Sequence, residues 1–430
     1  LLGFQHMFAM FGATILVPIL TGLDVSNTLL FAGLGTLLFH LITGGKVPAF
    51  LGSSFAFLGG YAAVAPMIDD TIPNTELLPY ACFGVACAGL VYAVLAALVR
   101  AFGAEKVMRF FPPIVTGPII IAIGLNLSAS AINNCSGSWW IAIAAIGIIV
   151  AANIWGRGMV KIIPILLGVV GSYALAVIFD AGVRETLVKN VSEAALLALP
   201  VKMDQTVFGL FARGNVDRDM LLTSVITIVP LSLATMVEHI GDVSAISSTC
   251  GRNYIQDPGL HRTLLGDGLA TTLAALFGAP ANTTYGENTG VLALSRIYDP
   301  RVIRIAAVLA MCFSFSPKFA AIISSMPGGT IGGVSLVLYG MISAVGVRNV
   351  VENQVDFTKS RNVLIAALIL VLSIGISYSK AGALTFGSVS LSGLAVGSLV
   401  GIVLNAVMPG KDYVFGQNPQ GDESVNFIIQ

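Results

Sequence analysis

Three carboxylates lie inside long apolar stretches of this chain, where an ionised group is costly. Glu238 and Asp242 are four residues apart, so on a helix they share one face. Glu287 ends another stretch, which is rich in small polar residues. A charge at the centre of a bilayer costs at least about 2.5–3.5 kcal/mol, so such residues are candidates for transport pathways and proton relays. A carboxylate that is desolvated takes up a proton more readily, which suits proton-coupled transport.

Other ionisable residues in the apolar stretches give weaker signals. Asp267 lies between two glycines, and a structural or capping role and a supporting role at a site are equally consistent with it. His6 and His239 are alternative proton carriers, because histidine titrates near neutral pH. Each has a polar neighbour, Gln5 and Glu238 respectively, and we favour a structural role for both histidines.

The composition excludes a soluble protein. Of the 430 residues, 56% are apolar and 10% are charged, whereas soluble domains are about 25% charged. Lys plus Arg and Asp plus Glu are balanced at 22 each, so no basic patch is available for nucleic acid. The five cysteines form no CxxC pair, and we expect buried thiols without disulfides, metal or cofactor. The chain begins at Leu1 rather than Met, so we expect further residues before it.

Twelve stretches have the apolarity and length of a helix that spans a bilayer, which needs about 20 residues. They are residues 2–22, 26–43, 77–100, 111–132, 138–156, 161–180, 219–246, 259–278, 302–325, 328–347, 361–379 and 387–408. Two more stretches, 47–66 and 280–297, are apolar but rich in Gly, Ser, Thr, Asn and Pro. Counting these as broken spans predicts an all-α polytopic membrane protein of fourteen transmembrane segments, with one long polar connector near 181–218.

The basic residues predict the orientation of these segments. If both termini lie on one side, fifteen of the 22 Lys and Arg residues fall on that side. The short loops on the opposite side hold only Lys380. Because cytoplasmic loops carry the excess of basic residues, both termini are predicted to be cytoplasmic.

Polar, proline and glycine residues recur in the same order in the two halves of the chain. The pairs, at offsets of 233, 232 and 215 residues, are Gln5-His6 with Glu238-His239, Pro48-Ala49 with Pro280-Ala281, and Pro112 and Gly117 with Pro327 and Gly332. Seven segments per half is an odd number, so the second half must be inverted in the membrane. Two inverted repeats with broken segments at equivalent positions are typical of secondary transporters.

The broken segments, which are segments 3 and 10, need hydrogen-bond partners for their main chain. Residues 53–56 and 282–285 look extended rather than helical, and main-chain groups in hydrocarbon need internal partners. We predict that they pair with each other as short β-strands inside the protein. A half-helix would follow each strand, with its positive end at the membrane centre. Ordinary kinked helices are the alternative.

Together these motifs resemble the nucleobase–ascorbate transporter family, also called nucleobase:cation symporter-2, over nearly the whole chain. Within it, the chain is similar to bacterial uracil–proton symporters and uracil–xanthine permeases. The stretches that carry the resemblance are Gln5-His6, Gly-Ser-Ser-Phe-Ala-Phe (52–57), Glu-His-Ile-Gly-Asp (238–242) and Asn-Thr-Thr-Tyr-Gly-Glu-Asn-Thr-Gly (282–290), running on to Ser295-Arg296. Ser295 stands where Thr is usual in the family, a change that keeps the hydroxyl.

The resemblance implies two inverted repeats of seven segments, divided between a core domain that holds the substrate and a gate domain. Segments 1–4 (residues 1–110) and 8–11 (residues 219–326) would form the core. Segments 5–7 (residues 111–182) and 12–14 (residues 327–410) would form the gate. Residues 183–218 would be an extracellular connector and residues 411–430 a cytoplasmic tail. The family also implies a homodimer in the bacterial cytoplasmic (inner) membrane, whose core moves against its gate.

The resemblance also assigns substrate residues. By similarity, Glu238 and Glu287 accept hydrogen bonds from the N–H groups of a base. Phe55 and Tyr339 would pack around its ring. The other residues of the implied substrate site, two of them through main-chain contacts, are Ala13, Ser54, Tyr285 and Gly286.

The implied proton-coupling residues are Glu238 and Asp242. The implied supporting residues are Gln5, His6, His239 and Asn288. Uracil-type members tend to carry His where this chain has Asp242, so the proton route stays open. Asp242 could take the coupling role, or Glu238 could act alone.

Two classes of base remain open as substrates. Uracil presents two N–H groups that suit two facing acceptors, and an analogue without them would leave buried acceptors unpaired. Glu287 is typical of uracil-type members, but Asp242 is typical of purine-type members. Uracil is therefore favoured, and xanthine, another oxopurine or dual uracil–xanthine transport is the alternative.

Other classes of protein are disfavoured. An anion transporter of the same architecture is disfavoured, because two facing carboxylates would repel an anionic substrate. An enzyme that used Glu238 and Glu287 as an acid–base pair would need a nucleophile, an HExxH motif or a phosphate loop, and none accompanies them. A channel is disfavoured, because broken helices around a closed site at the membrane centre suit a transporter with alternating access better. The sequence thus predicts proton-driven import of a nucleobase across a lipid bilayer, without enzymatic activity.

Overall fold

The computed structural model describes residues 2–413 apart from 69–71, 104–105, 108, 215, 381, 387–388 and 412. For some residues inside helices and strands, Ala13 and Glu287 among them, the description covers the main chain only. The described residues are mostly helical. The elements of the first half are α1 (Leu2–Thr21), α2 (Val25–Ile42), β1 (Leu51–Ser53), α3 (Leu58–Val64), α4 (Leu78–Phe102), α5 (Pro113–Ser136), α6 (Trp139–Ile154), α7 (Met159–Ile162) and α8 (Pro164–Phe179).

The second half follows a stretch that holds two shorter helices, α9 (Ala181–Glu193) and α10 (Val207–Ala212). Its elements are α11 (Arg218–Ile228), α12 (Leu231–Cys250), α13 (Leu260–Leu276), β2 (Asn282–Thr284), α14 (Gly286–Ser295), α15 (Pro300–Ser314), α16 (Pro317–Ser324), α17 (Gly328–Glu352), α18 (Ser360–Ser377), β3 (Ala383–Phe386), β4 (Val389–Ser392) and α19 (Gly393–Val407). Single turns of tighter or wider helix occur at Phe55–Phe57, Met203–Gln205 and Ile255–Gly259.

Several of these helices could cross a membrane. In the described part of the chain, six helical stretches are long and apolar enough by length and composition: α2, α4, α5, α11 with α12, α17 and α18. The pairs α8–α9 and α15–α16 are bent by 108° and 86°, and counting each pair as one span gives up to eight. The prediction of fourteen segments is neither reached nor excluded by this criterion and stays a prediction.

The stretch predicted as one span over residues 302–325 is not a continuous helix, because it consists of two helices at a steep angle. Helix α15 ends at Ser314, and α16 begins with Pro317 at its N-terminus. A proline ring disfavours helical backbone in the residue before it. Accordingly Ser316 is extended, with φ −106° and ψ 96°, and the chain bends by 86° there.

Two other stretches also differ from the prediction. In the stretch 387–408, predicted as one span, Val389–Ser392 form β4, which pairs antiparallel with β3, and helix starts only at Gly393. Thr, Val, Phe and Leu in this hairpin favour extended structure. The connector predicted over residues 183–218 contains most of α9 and all of α10. The Asp180 carboxylate caps α9 by accepting from the main-chain N–H groups of Gly182 and Val183.

The helices pack as two groups. In the first group α13 packs along α4 and α2, while α15 packs along α2 and α1. In the second group α5 packs along α17 and α18, α6 along α8 and α17, and α18 along α19. Smaller contacts join the groups, including those of α1 with α8 and of α12 with α5 and α19.

Close glycine contacts explain why the main pairs of helices pack tightly. A Cβ atom on Gly89 of α4 would lie 2.6 Å from the Gly268 carbonyl oxygen of α13, and one on Gly268 would lie 2.5 Å from the Gly89 oxygen. In the second group, a Cβ on Gly346 of α17 would lie 2.7 Å from the Gly117 oxygen of α5. Small residues at such crossings let helix backbones approach closely, which favours association in lipid.

Candidate substrate and proton site

The two broken segments, one from each half of the chain, meet as a short antiparallel ribbon. Strand β1 pairs with β2 in the register Leu51 with Thr284, Gly52 with Thr283 and Ser53 with Asn282. Flanking main-chain bonds extend it, from Ser54 N–H to the Ala281 oxygen (2.9 Å) and from Tyr285 N–H to the Phe50 oxygen (3.0 Å). The extended part of the first segment ends earlier than the predicted 53–56, because Phe55–Phe57 form a 3₁₀ turn that leads into α3.

Side chains from neighbouring helices satisfy the outer edges of this ribbon. The Thr36 hydroxyl of α2 accepts from Leu51 N–H (2.9 Å) and lies 3.2 Å from the Leu51 carbonyl oxygen. On the opposite strand, the Thr271 hydroxyl of α13 donates to the Asn282 carbonyl oxygen (2.6 Å). An unpaired main-chain group in an apolar interior is costly. These threonines therefore allow an extended segment to lie buried between helices.

The phenol of Tyr285 joins the ribbon to α1. Its hydroxyl donates to the Ser53 carbonyl oxygen (2.7 Å) and accepts from the Thr14 hydroxyl (3.1 Å). The Ser53 hydroxyl in turn donates to the Thr14 carbonyl oxygen (3.1 Å). Gly52 must be small here, because a Cβ would lie 2.6 Å from the Tyr285 ring. The cluster thus ties α1 to both strands of the ribbon and connects the two halves of the chain.

We expect Tyr285→Phe to destabilise the fold at this junction. The change removes the hydroxyl that accepts from Thr14 and donates to the Ser53 carbonyl, and losing a buried hydrogen-bond partner costs about 1–3 kcal/mol. The measurement is thermal unfolding of the purified protein in detergent. Tyr378→Phe is the matched control, because this ring is 51% exposed and its hydroxyl bonds the Asn126 carbonyl at the periphery. Equal stability losses in the two variants would contradict the proposed junction.

Phe55 and Tyr339 come together although 284 residues separate them in sequence. Phe55 opens the turn that follows β1, and Tyr339 lies in the middle of α17, in the other group of helices. Their ring centroids are 5.9 Å apart, with an interplanar angle of 78°, which is an edge-to-face contact. Both rings are buried. The two rings predicted to pack around the substrate therefore contact each other, and their assignment to the substrate site stays a prediction.

One of the two carboxylates of α12, that of Asp242, faces the second broken segment. Glu238 and Asp242 are both half-buried and one helical turn apart. The Thr284 hydroxyl at the end of β2 donates to Oδ2 of Asp242 (3.3 Å). Gly286, the first residue of α14, lies so close that a Cβ there would be 3.2 Å from Oδ1 of Asp242. Helix α12 also contacts the Phe55–Phe57 turn, so it adjoins both broken segments.

Two residues of the predicted site lie partly outside this description. Glu287 follows Gly286 in the first turn of α14, and Ala13 lies in α1 one residue before Thr14. The side chains of Glu287 and Ala13 are outside the described part of the structure. Their assignment to the substrate site stays a prediction.

The supporting residues fall into two places. Between α1 and α14, the Asn288 amide donates to the His6 carbonyl oxygen (3.1 Å) and lies 3.3 Å from His6 Nδ1. The neighbouring Gln5 points elsewhere, and its amide contacts the Met159 sulfur of α7. His239 is buried against β2, with Nδ1 3.2 Å from the Thr284 hydroxyl and 3.5 Å from Oδ2 of Asp267.

Sequence reasoning missed Thr14 and Thr284 and left Asp267 undecided. A threonine in an apolar helix or strand gives no signal by itself, because it usually bonds its own helix or packs. Thr284 could have been noticed only because it lies in the polar run that contains Glu287. The Asp267 side chain is fully buried, and the described group of opposite potential charge that faces it is His239.

A small cavity lies elsewhere along the boundary between the two groups of helices. It is lined by Phe11, Ile15 and Leu16 of α1, Leu166 and Val169 of α8, and Met326, Thr330, Ile331 and Val334 around the start of α17. Its lining is apolar apart from one hydroxyl, so it lacks the acceptors that a base requires. Within the described ranges, no three His, Cys, Asp or Glu side chains come together in a way that could hold a metal ion.

Known proteins resemble this chain along most of its length. The model of the "Permease family" matches residues 1–382. A protein of Bacillus caldolyticus named uracil permease is 41% identical over 424 residues, covering 95% of this chain and 92% of that protein. Another uracil permease, from Bacillus subtilis (strain 168), is 38% identical over 418 residues, covering 94% and 91%.

A solved structure extends the comparison to the fold. The transmembrane domain of a cyanobacterium bicarbonate transporter, BicA, matches with a TM-score of 0.55 at 14% identity. The match covers 94% of this chain and 96% of that one. At this identity the likeness concerns the fold alone.

Proposed function

We propose, from the premise that the chain belongs to the permease family of nucleobase:cation symporter-2, that it imports uracil together with protons. The family and its relatives make the chain a multi-pass membrane permease of nucleobase type and not an enzyme. The observation that carries the finer proposal is the position of Asp242, which meets β2 and the start of α14 one turn from Glu238 on α12. Titratable acceptors thus lie beside the broken segments.

Uracil recognition in this proposal uses charged acceptors for its two N–H groups. Glu238 and Glu287 accept from N1–H and N3–H, while Phe55 and Tyr339 pack against the ring. Ser54, Tyr285 and the main chain at Ala13 and Gly286 complete the site. Two relatives named uracil permease at 38% and 41% identity support this choice of base.

Xanthine or dual uracil–xanthine transport is the second candidate, and Asp242 is the observation that favours it. Purine-type members tend to carry Asp at that position, as this chain does. The Asp242 carboxylate accepts a hydrogen bond from the Thr284 hydroxyl beside the proposed site. A base larger than uracil would need space next to Gly286. An anion substrate, despite the fold shared with a bicarbonate transporter, is disfavoured by the two half-buried carboxylates of α12.

The transport mechanism that we propose is alternating access of a core domain against a gate domain. The contact between Phe55 and Tyr339 supports it, because Phe55 follows β1, which packs on α1 and α2 of the first group, whereas Tyr339 belongs to α17 of the second. Sliding of one group past the other would separate these rings and open the site to one side. Fourteen segments with cytoplasmic termini in the bacterial inner membrane, and assembly as a homodimer, belong to the same proposal.

The decisive test is pH-dependent uptake of radiolabelled uracil into proteoliposomes, with unlabelled xanthine, hypoxanthine and thymine as competitors. Acid outside should stimulate uptake, and the purines should compete poorly. Strong competition by xanthine would move the assignment to the purine-type or dual alternative. A failure of the wild-type protein to take up any base would remove the substrate proposal, although the family and fold would stand.

A further inference from the structure

A continuous polar chain runs from the half-buried Asp242 into the fully buried interior of the first helix group. The Thr284 hydroxyl lies 3.3 Å from Oδ2 of Asp242, and Nδ1 of His239 lies 3.2 Å from the same hydroxyl oxygen. Beyond it, Oδ2 of Asp267 lies 3.5 Å from Nδ1 of His239. The side chains of His239 and Asp267 have no exposed surface. The chain therefore connects a carboxylate beside the site to a buried acid–imidazole pair.

The geometry fixes where the protons lie when Asp242 is ionised. A hydroxyl has one proton, and the Thr284 hydroxyl directs it to the Asp242 carboxylate. The hydroxyl oxygen can then only accept from His239, so Nδ1 must carry a proton. That N–H also faces the Asp267 carboxyl. A fully buried carboxylate is costly unless it is paired, and a protonated His239 is the described partner that can supply the charge.

We propose, on the basis of the proposed proton-coupled function, that Thr284 relays the coupling proton between Asp242 and His239, with Asp267 as the buried counter-ion. In the inward step, the O–H bond of protonated Asp242 breaks and its proton forms an O–H bond on Thr284. The original Thr284 O–H bond breaks, and its proton forms an N–H bond at Nδ1 of His239. Asp242 is left ionised, Thr284 is unchanged, and the imidazolium is paired with Asp267. The reverse sequence returns the proton to Asp242.

Few other ionisable groups face this relay from the elements packed around it. On α12 itself, Glu238 lies one turn from Asp242. From α4, Tyr92 lies within electrostatic range of Asp267, Glu238 and Asp242, and its hydroxyl donates to Thr235. From α2, His40 lies near the Phe39 ring that contacts His239, but its Nε2 is bonded to the Ala49 oxygen. Among the described residues, Glu238 is thus the carboxylate that adjoins the relay, next to the half-buried Asp242.

The relay is tested with Thr284→Val, which keeps the size and branching of the side chain and removes the hydroxyl. Wild-type protein and variants are reconstituted in proteoliposomes and assayed twice. The first assay measures uracil accumulation driven by a pH gradient, and the second measures uracil counterflow at equal pH. We expect accumulation by Thr284→Val to fall at least about tenfold, which corresponds to a lost interaction of roughly 1.4 kcal/mol, with counterflow retained. Its accumulation should also lose the dependence on external pH.

Two matched variants keep the test decisive. Thr284→Ser retains the hydroxyl and should restore accumulation. Thr283→Val changes the neighbouring residue of β2, whose side chain points to the other face of the strand, and should accumulate uracil normally. Wild-type accumulation by Thr284→Val overturns the relay. Loss of both accumulation and counterflow in Thr284→Val also overturns it, because the hydroxyl would then serve substrate passage itself.

The same experiment separates the relay from the proposed function on which it rests. Absence of uracil counterflow in the wild-type protein would remove the uracil proposal. Wild-type counterflow without stimulation by a pH gradient would remove proton coupling. The relay alone fails when the wild type is driven by protons and Thr284→Val is driven equally well. Asp267→Asn, which removes the counter-ion, should reproduce the valine phenotype if the relay operates.

Discussion

Glu238→Gln is expected to abolish proton-driven accumulation of uracil. Glu238 is half-buried on α12, one turn from Asp242 and on the same helix face. An amide cannot take up a proton at physiological pH, and it offers an N–H group where the base also offers one. A hydrogen bond to a charged group contributes about 1.5–3 kcal/mol, so affinity should fall roughly 10- to 150-fold in addition to the loss of coupling.

This variant is measured in both of the assays described above and by binding of uracil to the detergent-solubilised protein. Glu193→Gln is the matched control, because Glu193 is exposed at the end of α9, away from the broken segments. It should accumulate uracil as the wild type does. If Glu238→Gln accumulated uracil to the wild-type level, Glu238 would have neither of its proposed roles.

Helix positions were largely predictable where apolarity and length act together. The stretch 77–100 corresponds to Leu78–Phe102, and 328–347 begins at the residue where Gly328–Glu352 begins. The bend at Pro317 could not be read from apolarity, because the residues around it are apolar or small apart from Lys318. Its cause is a local steric conflict between the proline ring and the backbone of Ser316. Hydropathy averages over such single positions.

Pairing of the broken segments was predictable from hydrogen-bond accounting, but its details were not. Extended main chain in an apolar interior needs a partner, and the other broken segment lay at the equivalent position in the opposite half of the chain. In the observed register Leu51 pairs with Thr284, and Thr36 and Thr271 of two helices complete the outer edges of the ribbon. Neither threonine is distinguishable in the sequence from others that bond to their own helix.

Contacts between distant residues were the least predictable part of the site. The family resemblance assigned Phe55 and Tyr339 to one substrate ring, but nothing in their local sequence predicts the direct contact between them. The Thr14–Tyr285 bond and the Thr284–His239–Asp267 chain depend on how α1, α12 and α13 approach the ribbon. Composition predicts that buried polar groups will be paired, but it does not predict which ones form each pair.

Glu287→Gln is expected to weaken uracil binding and to shift selectivity toward oxopurines. The family resemblance associates Glu with uracil-type sites and Gln with purine-type sites at this position. The substitution replaces one of two acceptor oxygens with an amide donor, which opposes a uracil N–H group. Loss of this charged acceptor should raise the KM for uracil roughly 10- to 150-fold, by the same 1.5–3 kcal/mol per charge-assisted bond.

The measurement for Glu287→Gln is competition, with labelled uracil and unlabelled xanthine, in proteoliposomes at fixed pH. Glu185→Gln, an exposed carboxylate of α9, is the control and should leave the ratio of the two affinities unchanged. Because the α12 carboxylates remain intact in Glu287→Gln, acid-stimulated uptake should persist at saturating substrate. Reduced uracil affinity with retained acid stimulation would show that the second broken segment recognises the base and that α12 couples transport to protons. Uracil affinity equal to that of the wild type would show that Glu287 does not contact the base.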